Sequence, residues 1–281
     1  MIHLFALLSL LLCGVCYTGF QNSSHFHNTS NRRSLLLLVF GGALLLRLLL
    51  AYTTHGFSND IACFAAWADR IFTLGPGQFY SAEMFTDYPP GFMYVLYLIG
   101  ALRSLLQIPY YSDLHILLLK LPAILCDIAC GFLLYREAVK RLHFSDLQGI
   151  FAASAYLFQP AVILNSSCWG QVDSVYTLMI ILMCLFLMKG NLLPAYAVYG
   201  LGVLLKPQML IFTPVLLAGI WDHVFLQDFS WRKFFYNLCG GLVVICGMLL
   251  LCAPFGLTAA ISQYTSTLGS YEYAAINAYN F

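Results

Sequence analysis

The residue best placed to do chemistry is Asp60, at the head of the run SNDIACFAAWADRI, just beyond a long apolar stretch. A carboxylate at the mouth of an interfacial helix stays ionised and can face a membrane-embedded substrate. It would serve as general base, taking the proton from an acceptor hydroxyl while an activated sugar is displaced. The plainer reading is a helix N-cap, which Asn59 could equally supply. His55, between the stretch and Asp60, is a candidate phosphate or ligand contact, or simply an interfacial side chain.

Further along, Asp87-Tyr88-Pro89-Pro90-Gly91 puts an anion and an aromatic ring on a rigid turn, which would also serve as a helix start. The stretch Asn165-Ser-Ser-Cys-Trp169-Gly170-Gln171-Val-Asp173 crowds polar side chains between two apolar runs. Such groups are costly at membrane depth unless paired or facing a cavity. Trp169 would pack on a sugar face while the Gln171 amide bonds hydroxyls; the alternative is a tight polar turn with an interfacial indole. Lys206-Pro207-Gln208 sets a cation between two apolar stretches, either as a phosphate counter-ion or as a snorkelling lysine. Lys120 and Asp127 share one apolar segment and pair with each other or with loop residues. No metal ligand is assigned, since no His or Cys cluster has zinc spacing; a divalent Mg or Mn stays open. No Gly-rich phosphate loop is present, which argues against a nucleotide-sugar donor.

These residues need a membrane scaffold. Of 281 residues 61% are hydrophobic and 9% charged, which no soluble core requires. Apolar stretches at about 3–20, 34–52, 90–107, 113–134, 148–165, 173–188, 192–206, 208–221 and 235–252 predict an all-α polytopic bundle of seven to nine membrane helices. The segment 3–20 reads as a retained first helix leading to a cytoplasmic linker ending near residue 33. The net charge of +1 gives no field for nucleic acid. Most of the ten cysteines sit in apolar runs and act as small hydrophobes, and Cys13 and Cys16 form no redox motif there. The sequons at Asn22, Asn28 and Asn165 read as chance matches.

Lys and Arg cluster at Arg32–Arg33, Arg136–Arg141, Lys189 and Arg232–Lys233. Placing these clusters in the cytoplasm puts 53–89, 166–172, 206–208 and the tail from Ala253 outside, where the candidate residues gather. Within 53–89, Ile61, Phe64, Ala65, Ala68, Ile71 and Phe72 recur at helical spacing, predicting an amphipathic helix in the interface. An odd number of crossings is then needed between Asp87 and Arg136, although two apolar stretches are available; 90–107 is read as partly immersed or re-entrant.

At these positions the chain resembles the GT-C superfamily of polytopic glycosyltransferases. It is similar to bacterial relatives of the GPI-anchor second mannosyltransferase, and to the glucosyltransferases of the dolichol-linked oligosaccharide. The resembling blocks are SNDIACFAAWADRI, DYPPGFMYVLYL, KLPAILCDI, FQPAVILNSSCWGQVDSVYTL, GVLLKPQMLIFTPVLL and TLGSYEYAAINAYNF, over roughly 55 to 281. The resemblance implies a single GT-C-like transmembrane domain with an outer catalytic loop at 53–89. It implies a hexosyltransferase, mannose favoured, moving sugar from a polyprenyl-phosphate donor to a glycan or glycolipid acceptor outside a bacterial plasma membrane. Asp60 would then be the base, Asp87, Tyr88, Trp169, Gln171 and Asp173 would line the site, and Lys206 and Gln208 would meet the donor phosphate. Members of the superfamily usually continue through further spans, so the chain reads as an N-terminal piece of a longer protein. The competing readings are a transporter or flippase, which would spread polar groups across the whole bilayer, and a non-catalytic remnant.

Overall fold

The computed structural model describes residues 29–80, 85–227 and 229–269, and among them every regular element is helical. The stretch 3–20, with Cys13 and Cys16, and the sequons at Asn22 and Asn28 lie outside the described residues. The helices are α1 Thr29–Thr53, α2 Ser58–Leu74, α3 Pro90–Leu105, α4 Asp113–Lys140, α5 Asp146–Leu157 and α6 Pro160–Ile163. They are followed by α7 Asp173–Met188, α8 Leu192–Leu205, α9 Thr213–Trp221, α10 Trp231–Cys252 and α11 Leu257–Gly269.

Each apolar stretch expected from residue 34 onward is helical. Four helical segments, Arg32–Thr53, Asp113–Lys140, Pro207–Leu226 and Trp231–Phe255, are long and apolar enough to cross a bilayer. Asp146–Leu157 and Pro160–Trp169 pass the same test together and are bent by 51°, the shape of a broken span or of a re-entrant loop. The bend falls at Gln159-Pro160, because proline disfavours helical backbone in the residue before it. The remaining apolar helices α3, α7 and α8 have 16, 16 and 14 residues. At 1.5 Å per residue these reach roughly 21 to 24 Å, short of a hydrocarbon core of about 30 Å.

The chain divides into two compact units. One is built from residues up to Ala65 together with Leu105–Leu178, and the other from Ala66–Ser104 together with residues from Met179 onward.

In the first unit α1 and α4 run antiparallel, as three polar contacts along their length record. Arg32 bonds the Tyr135 hydroxyl at 2.8 Å, Arg47 meets Asp127 at 3.1 Å, and Lys120 reaches the Thr54 carbonyl at 2.7 Å. Helix α4 therefore begins at the end of the unit where α1 stops. The chain between Thr53 and Asp113 makes an even number of crossings, and α4 is the segment that carries it back. Ser112 caps α4 by accepting from the His115 amide, and Ser145 with Gln148 forms a reciprocal capping box on α5. Tyr135, Ile150 and Ala153 close the basic end of this unit against Leu35, Val39 and Phe40.

In the second unit, Met183, Tyr196, Met209, Leu216 and Val224 belong to one core cluster. Helix α3 owes its position to two glycines. A Cβ on Gly91 would lie 2.5 Å from the Leu204 carbonyl oxygen, and one on Gly100 would run into the Ala68 carbonyl. Only a residue without a side chain lets these backbones approach so closely. Asp69 and Arg103 form an ion pair across the same crossing.

Candidate functional site

Helix α2 carries the residue singled out first. Of the face that the helical spacing predicts, Ile61, Phe64, Ala65, Ala68 and Ile71 are buried and Phe72 is partly so, and Trp67 joins them. The helix starts at Ser58, so Asp60 sits in its first turn rather than at the N-cap. An acid there still complements the unpaired amides and the positive end of the helix dipole.

The partners of Asp60 come from far along the chain. After Ile163 the helix widens to a π-helical turn, Leu164–Trp169, and stops at Gly170, whose φ of 89° is left-handed. The amides of Gly170 and Gln171 both return to the Asn165 carbonyl at 3.0 Å, and this tight end turns Trp169 and Gln171 toward Asp60. Trp169 Nε1 donates to Asp60 Oδ2 at 2.9 Å and Gln171 Nε2 donates to the same oxygen at 2.5 Å. Phe57 lies beside the indole with ring centroids 5.1 Å apart, and its amide bonds the Trp169 carbonyl at 2.9 Å. Trp169 is 45% exposed. An open aromatic surface therefore stands next to a carboxylate and an amide.

Gly170 is required here. A Cβ at this position would stand 2.5 Å from Ile61 Cδ1 and 3.3 Å from Lys120 Cε, on a backbone that L-residues avoid. Gly170→Ala should lower stability by about 1–3 kcal/mol, read as the unfolding midpoint of the detergent-solubilised protein. It should also loosen the Trp169 contact, read as a change in indole fluorescence.

Beneath this surface lie two buried polar clusters. Lys120 is fully buried and has four oxygen acceptors: the Ala51 carbonyl at 3.3 Å, the Thr54 carbonyl at 2.7 Å, Thr54 Oγ1 at 3.1 Å and the Ser167 carbonyl at 2.9 Å. Those carbonyls end α1 and the π turn, so two helix C-termini converge on the ammonium and their partial negative charge balances it. Farther along α4, buried Asp127 receives Arg47 Nε at 3.1 Å, Ser166 Oγ at 2.6 Å, Ser174 Oγ at 2.5 Å and the Tyr156 hydroxyl at 3.3 Å. Lys120 and Asp127 thus each find partners on other segments. Arg47 escaped the sequence reading, although an arginine inside a leucine run is itself a sign of an intramembrane polar contact.

Asp173 belongs to the first unit but serves its own turn, accepting Asn165 Nδ2 at 2.9 Å in the first turn of α7. His55 is exposed, with Nδ1 3.7 Å from Asp113 Oδ1, a surface contact of little energetic weight.

The second unit holds the other candidates. Tyr88 is buried between Trp67 and Phe92, at centroid distances of 5.7 and 5.3 Å, and Lys206 Nζ lies 5.8 Å from its ring centre. That places the lysine over an aromatic face, a cation–π contact. Tyr80 donates its hydroxyl to the Tyr88 carbonyl at 3.0 Å, and burial holds its phenol far above the ordinary range, so it acts as a neutral donor. Asp87 is partly buried and Gln208 is exposed. Among the described residues, no group of three or more His, Cys, Asp or Glu side chains could hold a metal ion.

The first unit thus assembles Asp60, Trp169 and Gln171, and the second brings Tyr88 to Lys206. A family model described as GPI transamidase subunit PIG-U matches residues 33–274. No curated protein matches the chain. The GPI link agrees with one branch of the resemblance in the sequence motifs, while the matching family is a transamidase subunit rather than a mannosyltransferase. With several helices fit to cross a bilayer and a family match over most of its length, this multi-pass membrane protein belongs to the GPI transamidase subunit PIG-U family.

Proposed function

We propose that this chain is a recognition subunit of a GPI transamidase, binding the glycan of a lipid-linked anchor precursor at the surface formed by Asp60, Trp169, Gln171 and Phe57. The observation that carries this reading is the convergence of the Trp169 and Gln171 donors on one oxygen of Asp60, beside an open indole. An aromatic face packs on the apolar face of a sugar ring, and a carboxylate and amide bond its hydroxyls. A site already cross-braced in this way loses little freedom when ligand binds. The family supports an assembly with other transamidase subunits. The membrane is then one in which GPI anchors are joined to proteins, in place of the bacterial plasma membrane of the sequence reading, and the glycan surface lies on its non-cytoplasmic side.

The test is retention of a mass-tagged GPI precursor by the purified transamidase complex. A hydrogen bond to a charged group contributes about 1.5–3 kcal/mol, so Asp60→Ala should weaken retention roughly 10- to 100-fold. Wild-type retention by that variant would remove the proposal.

A second reading keeps hexosyl transfer from a polyprenyl-phosphate donor to a glycolipid acceptor, with Asp60 as base. It is favoured by Asp60 Oδ1, which has no hydrogen-bond partner among the described residues. Hexose gain on the precursor, lost in Asp60→Asn, would establish this reading in place of the first.

A further inference from the structure

We propose that the second unit binds one anionic glycerophospholipid, with its phosphate at the basic start of α10 and one acyl chain in an apolar groove along that helix. The groove, of about 400 Å³, is lined by Gly200, Leu216, Ile220, Gly241, Val244 and Met248 among others, and Asn237 belongs to this lining. Asn237 also borders a second pocket, of about 240 Å³, whose lining includes His223, Arg232, Lys233 and Tyr236. Asn237 thus joins an apolar channel to a cationic mouth. Its amide is engaged on both sides, Nδ2 donating to the Lys233 carbonyl at 2.8 Å and Oδ1 accepting from the Tyr196 hydroxyl at 3.2 Å.

Dimensions and depth fit a membrane lipid. The groove-lining residues of α10 run from Phe234 to Met248, a rise of fourteen residues or about 21 Å, within a hydrocarbon core of about 30 Å. The segment that leads into the basic start of α10 carries an aromatic cluster: Trp221 and Phe225 lie 4.7 Å apart, Phe225 and Phe229 5.8 Å, and Phe229 and Trp231 5.2 Å. Tryptophan-rich clusters of this kind mark the headgroup level, so the cations stand where a phosphate stands. The neighbouring acid Asp222 is occupied by the Gln227 amide at 2.6 Å. The basic loop belongs to the cytoplasmic face, and anionic lipids of that leaflet are drawn to such residues. The groove alone would take any hydrocarbon chain, and the mouth selects an anion.

Native mass spectrometry of the detergent-solubilised full chain, titrated with phosphatidylglycerol or phosphatidylcholine of identical acyl chains, tests this. Wild type should hold one saturable phosphatidylglycerol, preferred about 30-fold, or roughly fivefold for each of Arg232 and Lys233. Glycerol phosphate without acyl chains should leave no adduct. Arg232→Gln with Lys233→Gln should equalise the two lipids. A Cβ on Gly241 meets nothing within 4 Å, so Gly241→Leu should fill the groove without disturbing the helix and abolish both adducts. Equal retention of the two lipids by wild type, an unchanged preference in the double variant, or a wild-type adduct in Gly241→Leu would each overturn the proposal.

Discussion

Asp127→Ala should cost this protein about 3–5 kcal/mol of stability, the usual penalty for removing one partner of a buried ion pair. Arg47 and Asp127 are both fully buried, and truncating the acid leaves a guanidinium in a site with no anion to meet it. The same change removes an acceptor shared by Ser174, Tyr156 and Ser166, of which Ser166 keeps the Val162 carbonyl at 3.1 Å. Equilibrium denaturation in mixed micelles, where SDS displaces a milder detergent, measures this directly. Arg47→Met combined with Asp127→Leu should recover most of the loss, because an apolar pair of similar volume strands no charge. A single Asp127→Ala with unchanged stability would show that the cluster is not what joins these helices.

Lys120→Met should be nearly as damaging, and it should also act at a distance. Methionine fills a similar volume but donates nothing, leaving the Thr54 carbonyl without the cation that satisfies it and the Ser167 carbonyl with only the Thr54 hydroxyl at 3.3 Å. A buried acceptor left unpaired costs about 1–3 kcal/mol, and a loss of at least that size is expected in the same denaturation assay. Ser167 lies two residues before Trp169, and Thr54 shortly precedes Phe57 in the segment that leads to Asp60. Loss of the ammonium should therefore relax both sides of the proposed glycan surface, and precursor retention should fall although Lys120 does not border that surface. Retention equal to wild type in the folded variant would separate Lys120 from binding.

The helices were legible in the sequence because uninterrupted apolar runs leave few alternatives, and the buried face of α2 followed directly from its spacing. Polar residue types were legible as well: Asp60 and Gln171 stood out because a carboxylate and an amide are costly beside a membrane span, and Trp169 because it sits among such groups. Their convergence was not, since it depends on a π turn and a left-handed glycine that no periodicity announces. Asp127 shows a second limit. Seven residues separate it from Lys120, and at 1.5 Å per residue that is about 10 Å along the helix, too far for a direct pair. Its partner Arg47 lies 80 residues away, beyond the reach of any local pattern. Asp173 also braces the turn that presents Trp169, by accepting from Asn165, a contact that residue types alone do not announce.

The distance in sequence between Arg47 and Asp127 sets a problem for biogenesis. At about 5–20 residues per second, Arg47 enters the bilayer some 4–16 seconds before its counter-ion is synthesised. During that interval α1 must remain inserted while carrying a bare cation, which the translocon scale sets at about 2.5–3.5 kcal/mol. Its ten leucines, each worth about 0.3–0.6 kcal/mol on that scale, supply the compensation. Several of them, Leu37, Leu38, Leu45 and Leu49 among them, remain exposed in the folded protein. Their role is then in the nascent chain rather than in the native core, and replacing them with alanine would be felt as failed insertion before any loss of native stability.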